Sequence, residues 1–176
     1  YKSWSEFTLK ERVEFFFEFR NQLKNNIDSL SDSICQENGK TFEEAKAEVL
    51  KGIELTEFAC SMPQIIHDEI QEVSRGVECR SSHVPVGIVS SITPFNFPIM
   101  VPMWTIPNAL VLGNCMILKP SEQTPVGASK IAELLKISAD FDYVFMTQKD
   151  AIKYQDMTGV LESGKFWVVG VDAVCE

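Results

Sequence analysis

Two polar side chains stand where oily runs of this chain end. Asn96 lies in Thr93-Pro94-Phe95-Asn96-Phe97-Pro98, just after the β-branched run Val84–Thr93, and Lys119 closes the short run Cys115–Lys119 ahead of Pro120-Ser121-Glu122. Open α/β sheets bind ligands outside their strand ends, so both residues fall where such sheets do chemistry. Prolines and aromatics restrict the backbone around Asn96, which suits its amide N–H to a developing oxyanion, the preorganised donor that acyl chemistry requires. Lys119 and Glu122 offer an ammonium and a carboxylate to ribose hydroxyls or a phosphate. Taken singly, each has a plainer reading: Asn96 as a turn residue, and Lys119 as a solvated lysine beside a helix capped by Ser121 or Thr124. His67 and His83 have no partner at metal or triad spacing. The cysteines read as small buried hydrophobes, because none is next to a histidine or within a glycine-rich activating loop. Phe15, Phe16, Phe17 and Phe19, with Trp4, Trp104 and Trp167, read as core.

Around these residues the pattern alternates strand and helix. Thr8–Ile34 carries Leu9, Val13, Phe16, Phe17, Phe19 and Leu23 at helical spacings and reads as one amphipathic helix. After the turn Asn38-Gly39-Lys40, Thr41 and Glu44 form a capping-box signature for a second helix reaching about Met62, a packing helix. Residues 64–83 suggest hairpin strands or an arm. Val84–Thr93 predicts a strand, Pro98–Leu112 a helix with a kink at Pro107, and Gly113-Asn114 its stop. Cys115–Lys119 predicts a strand covered on both faces, and Thr124-Pro125 an N-cap and first-turn proline for a helix reaching about Ser138. Strand, helix, strand, helix implies a parallel sheet with a right-handed crossover, which brings Asn96 and Lys119 to one edge. The stretch between the strands contains no G-x-G-x-x-G, so a nucleotide bound here is not held by the usual pyrophosphate turn.

Composition limits the alternatives. With 176 residues the chain has room for one sizeable core, and an apolar share of 45% marks a globular protein. A net charge of −9 argues against nucleic acid as a partner. The oily stretch Phe97–Leu118 is broken by Pro98, Pro102, Pro107, Gly113 and Asn114, so no spanning membrane segment is expected. Five scattered cysteines, Cys35, Cys60, Cys79, Cys115 and Cys175, signal neither a disulfide frame nor a zinc site and point to a reducing, cytoplasmic compartment. No signal peptide is visible, although a chain opening at Tyr1 leaves room for a segment removed upstream.

The stretch PVGIVSSITPFNFPIMVPMWTIPNALVLGNCMILKPSEQTP resembles the first half of the coenzyme-binding domain of aldehyde dehydrogenases. ENGKTFEEAKAEVLKGIELTEFAC and PFNFPIMVPMW are similar to the methylmalonate-semialdehyde branch, which is CoA-acylating, and the resemblance covers about residues 1–138. It implies an α/β fold, a partial Rossmann-like parallel sheet with N-terminal helices and a β arm used in homo-oligomer formation. The activity implied is NAD-dependent oxidation of malonate or methylmalonate semialdehyde, with acyl transfer to coenzyme A and, in a eukaryote, a place in the mitochondrial matrix. Asn96 matches the oxyanion-hole asparagine of the family. Lys119 and Glu122 match the residues that hold the adenosine ribose of NAD; Ile92, Thr93, Pro94 and Phe95 match the segment lining the cofactor cleft, and Pro120 and Ser121 complete the turn.

After Ile137-Ser138-Ala139 the family pattern stops. Its Gly-Leu-Pro turn, Gly-Ser-Thr phosphate loop, general-base glutamate and nucleophilic cysteine have no match, so the chain reads as a truncated coenzyme-binding domain without turnover. Residues 139–176 read as a separate, divergent βαβ-like tail, with strands Phe141–Met146 and Phe166–Val171 and a helix capped at Thr147-Gln148-Lys149-Asp150. VFMTQKDAIKY with FWVVGVDA is similar to the C-terminal end of the lipid A (tetraacyldisaccharide) 4′-kinases. The expectations that follow are a dehydrogenase remnant holding half a nucleotide site, a non-catalytic interaction module, or a chimera with a kinase tail.

Overall fold

Residues 2–139, 143–146 and 166–169 are described by a computed structural model. The expected helix over Thr8–Ile34 is two helices: α2, Leu9–Asn25, and α3, Ile27–Asn38, preceded by a short α1, Lys2–Glu6. The break is at Asn26, whose side-chain amide donates to the Gln22 carbonyl at 2.8 Å. Asparagine competes in this way for backbone groups and is a poor helix interior. The bend lets Leu23 on one helix and Leu30 and Ile34 on the next all reach the core. Capping boxes at Thr8/Glu11 and Thr41/Glu44 begin α2 and α4, Phe42–Cys60, the second as the sequence predicts. One further turn, α5, covers Met62–Ile65.

The predicted hairpin is present: β1, Glu69–Ser74, pairs antiparallel with β2, Val77–Ser81, across a turn in which Gly76 takes φ +76°. Every residue of both strands is exposed. Then come β3, Ile88–Ile92, α6, Met100–Val111 with Pro107 inside it, β4, Cys115–Lys119, and α7, Pro125–Ala139. β3 is shorter than the Val84–Thr93 run because Gly87, at φ +121°, turns the chain just before it. The expected helix stop is Gly113, in the left-handed region at φ +86°.

The second sheet runs β3-β4-β6-β5, with β5 at Tyr143–Met146 and β6 at Phe166–Val169. β3 and β4 are parallel, as the alternation predicts. β6 pairs antiparallel with β4 and with β5, so the sheet is mixed and the βαβ-like reading of the tail is corrected in strand direction. The predicted cap at Thr147–Asp150 lies outside the described residues.

α6 packs on α4, and α2 packs on both α4 and α7. Phe16, Phe19, Leu23, Ile53, Met103, Leu110, Met116, Leu118 and Ile131 fill the space between these helices and the sheet. Trp4 joins them, its indole N–H donating to the Leu110 carbonyl at 2.9 Å. Of the aromatics read as core, Phe17 and Trp104 are instead about half exposed, while the side chain of Trp167 lies outside the described residues. The buried stripe of α2 runs through Val13, Phe16, Phe19 and Leu23 at spacings of three and four, and Phe17 lies off that stripe.

Candidate active site

The two strand ends meet as expected. In the β3–β4 register Ile92 lies opposite Lys119, and Thr93 extends the ladder by donating its N–H to the Lys119 carbonyl at 3.1 Å. Thr93 is buried, whereas Ile92, Pro94, Phe95 and Asn96 are exposed. Lys119 and Glu122 stand together, Nζ to Oε2 3.3 Å. The Glu122 carboxyl is held below the ordinary carboxylate range by its own backbone N–H first and by Lys119 second. Pro120 and Ser121 are buried in the turn between them, and the Ser121 hydroxyl accepts the Gln123 N–H at 3.2 Å.

Asn96 projects from a turn with its side-chain amide unpartnered among the described residues. The carbonyls of the turn are held by side chains. Asn38 Nδ2 donates to Phe95 O at 2.9 Å, Thr124 Oγ1 to the same oxygen at 3.4 Å, and Lys40 Nζ to Asn96 O at 2.7 Å. Thr124 is therefore engaged with the Asn96 turn. The N–H groups it was expected to serve at the start of α7, those of Val126 and Gly127, donate to the Glu37 carboxylate at 2.7 and 2.9 Å. The first turn of α6 is closed in the same manner: Ile99 and Met100 donate to Glu48 Oε1 at 2.9 and 3.0 Å. With carboxylates on both helix starts, this edge does not offer them to a phosphate, in keeping with the missing G-x-G-x-x-G.

Glu37, Asn38, Lys40 and Glu48 were not singled out from the sequence as site residues. For Glu48 a signal exists: Ala45, Glu48, Val49 and Gly52 share the buried stripe of α4, and a carboxylate on an apolar stripe must have a partner. A cleft of about 510 Å³ lined by Lys40, Glu48, Lys51, Phe97 and Met100 adjoins the turn. A larger one, about 710 Å³, lies at the other ends of the strands, against Arg12, His67, His83, Pro85 and Asn114. None of the described cysteines is set up as a nucleophile at Asn96. Cys115 is buried at the far end of β4, Cys35 packs against the core, and burial pushes the Cys60 thiol up to about 11. Cys79 is exposed on the hairpin, against the expectation that it would be buried.

The sequence profile of the aldehyde dehydrogenase family matches residues 1–142. The chain belongs to the aldehyde dehydrogenase family. Among its relatives, malonate-semialdehyde dehydrogenase 2 of Bacillus thuringiensis (strain Al Hakam) is 42% identical over 135 residues, 76% of this chain and 28% of that protein. Malonate-semialdehyde dehydrogenase 1 of Geobacillus kaustophilus (strain HTA426) is 39% identical over 135 residues, with the same coverage of 76% and 28%. Among solved structures, the methylmalonate-semialdehyde dehydrogenase of Oceanimonas doudoroffii matches with a TM-score of 0.77 at 38% identity, over 78% of this chain and 28% of that one. A Sinorhizobium meliloti 1021 protein assigned to the methylmalonate-semialdehyde dehydrogenases and complexed with NAD matches with a TM-score of 0.77 at 36% identity, over the same 78% and 28%. The chain thus spans somewhat over a quarter of these relatives, 28% of their length, from the family's N-terminal part. The kinase resemblance of the tail finds no support among these relatives.

Proposed function

We propose that this chain supplies the adenosine-ribose side of an NAD site and the oxyanion donor of an aldehyde dehydrogenase. The protein it serves would oxidise malonate or methylmalonate semialdehyde to the acyl level and pass the acyl group to coenzyme A in a reducing compartment. The observation that carries the reading is the parallel register placing Ile92 against Lys119, which sets the Asn96 turn and the Lys119–Glu122 pair on one edge. Lys119 and Glu122 fit the ribose of NAD chemically: a donor and an acceptor 3.3 Å apart match a vicinal diol, whose hydroxyls both donate and accept. In this reading Ile92, Thr93, Pro94 and Phe95 are the segment that faces the cofactor, with Pro120 and Ser121 shaping the turn before Glu122. When bound, NAD supplies the acceptor for the hydride that leaves the substrate carbon.

Asn96 Nδ2 donates to the substrate oxygen as negative charge develops on it, and a donor fixed in advance does this without reorganisation. Coenzyme A and the particular semialdehyde rest on the likeness to the malonate- and methylmalonate-semialdehyde relatives. Self-association rests on two exposed apolar features, the hairpin with Ile70, Val73 and Val77 and the β3 margin with Ile88 and Ile92. The reading keeps residues 1–138 as the cofactor-binding part and 139–176 as a distinct tail. Its test is a paired substitution read by calorimetry with NAD. Lys119→Ala should weaken binding by about tenfold, the loss expected when a hydrogen bond to a charged group is removed. Asn96→Ala should leave binding within about twofold, because its interaction is reserved for the transition state. Equal losses from both would sink the division of roles.

A further inference from the structure

The connection between α3 and α4 reaches the Asn96 turn from outside, and one side chain in it holds the Asn96 peptide directly. Lys40 Nζ donates to Asn96 O at 2.7 Å and to Glu48 Oε2 at 2.6 Å, and it stands 3.9 Å from the centre of the Phe97 ring. An ammonium has three donors and no acceptor, so these contacts account for all its directions. The other oxygen of Glu48 receives the N–H groups of Ile99 and Met100. The pair therefore grips the turn at both ends, Lys40 on the carbonyl of Asn96 and Glu48 on the amides that follow Pro98. Both side chains are largely out of solvent, Glu48 at 1% and Lys40 at 18% exposure, whereas Asn96 is exposed. Among the described residues Lys40 is the side chain that holds the Asn96 carbonyl, since Asn38 and Thr124 hold the preceding one, that of Phe95. Gly39, at φ +76° in open space, ends α3 and delivers Lys40 to this position.

We propose that Lys40 is a positioning residue for Asn96: it fixes the Asn96 carbonyl against the buried Glu48 and so holds the side-chain amide in place for the oxyanion. The inference deepens the reading of Asn96 as oxyanion donor and rests on it. A purely structural role would make Lys40 no more than the counterion of Glu48. The double variant Lys40→Met/Glu48→Gln separates the two, because it removes both charges while glutamine can still accept the N–H groups of Ile99 and Met100. It also avoids the uncompensated buried carboxylate that Lys40→Met alone leaves behind.

The experiment is 15N relaxation on the labelled 176-residue chain, unvaried and as Lys40→Met, Lys40→Arg and the double variant, with NAD titrated into each sample. In the unvaried chain the Asn96 and Phe97 amides should be rigid, with order parameters of about 0.85, and in Lys40→Met and the double variant they should fall below about 0.6. Lys40→Arg, which keeps charge and donors, should restore most of the order, while the amides of Gly52 and Thr56 in mid-α4 stay rigid throughout. Asn96 and Phe97 remaining rigid in the double variant would overturn the inference, since Lys40 would then be a counterion only. NAD binding to the unvaried chain reports separately on the proposed function, so either conclusion can fail without the other.

Discussion

Each residue assigned to the site is defined by what its neighbours leave it free to do. Lys119 shares its charge with Glu122, so the two present a matched donor and acceptor, and Asn96 keeps its amide unpaired while its backbone is held. Asn96 and Lys119 were legible in the sequence because a polar residue ending an apolar run is a local signal. Lys40 and Glu48 were not, because their hydrogen bonds to the turn cross 56 and 51 residues of sequence and nothing local announces them. Locally written polar groups give a residue-scale prediction. Thr8 with Glu11 and Thr41 with Glu44 close reciprocal caps, and both carboxyls are held below their ordinary value, Glu11 by the Thr8 backbone N–H first and Glu44 by the Thr41 hydroxyl first. A carboxyl with a depressed pKa in the fold takes up its proton later than in the unfolded chain. Its contribution is therefore complete above the unfolded value of about 4.3 and is lost as pH falls through the lower folded value. Thr8→Ala and Thr41→Ala should each cost about 1 kcal/mol at neutral pH and flatten the acid limb of stability against pH, Thr41→Ala the more, because Thr8→Ala keeps the backbone N–H that holds Glu11. Urea midpoints between pH 3 and 7 check this, and an unchanged acid limb would count against it.

Among the elements, starts and stops set by neighbouring residues were readable: the Thr41 cap, the hairpin, the Gly113 stop and the short strand before Lys119. The division of α2 from α3 was not, since the apolar spacing runs on through Asn26 and only packing of both helices on one core decides the bend. Nor was the closure of α6 and α7 by Glu48 and Glu37, which replaces a local threonine cap with a carboxylate from another helix. The two left-handed glycines beside these elements should respond differently to alanine. At Gly39, with φ +76° and nothing near the added methyl, the cost should be the backbone strain alone, about 1–2 kcal/mol. Gly113 has φ +86° and a Cβ would stand 2.8 Å from Pro85 Cγ and 3.0 Å from the Arg12 guanidinium carbon, so the cost should be larger. The arginine cannot swing away freely, because its Nε donates to the Val111 carbonyl at 2.7 Å and it also bonds the Phe7 carbonyl. Thermal midpoints of the two variants test the order; Gly39→Ala proving the more damaging would contradict it.

At the scale of the whole molecule, the parallel pairing of β3 and β4 followed from the order of strands and helices, because the helix between two strands carries the chain back to the edge where the first began. The place of β6 between β4 and β5 did not follow, as antiparallel pairing between segments far apart carries no local mark. That strand covers one side of β4, but β3 remains at the margin of the sheet with Ile88 and Ile92 about half exposed or more. An open apolar margin is a template for association. Ile88→Lys should therefore lower concentration-dependent self-association in light scattering without lowering the thermal midpoint, whereas unchanged association would place the contact elsewhere, for example on the exposed hairpin. The account stands above all on the claim that the shared edge of β3 and β4 is a nucleotide site. Titrating NAD into the monodisperse 176-residue chain in a calorimeter tests that claim most directly. Saturable binding at one site per chain, weakened in Lys119→Ala, is the predicted result; a folded, monodisperse chain that releases no heat of binding at any of several temperatures would contradict it.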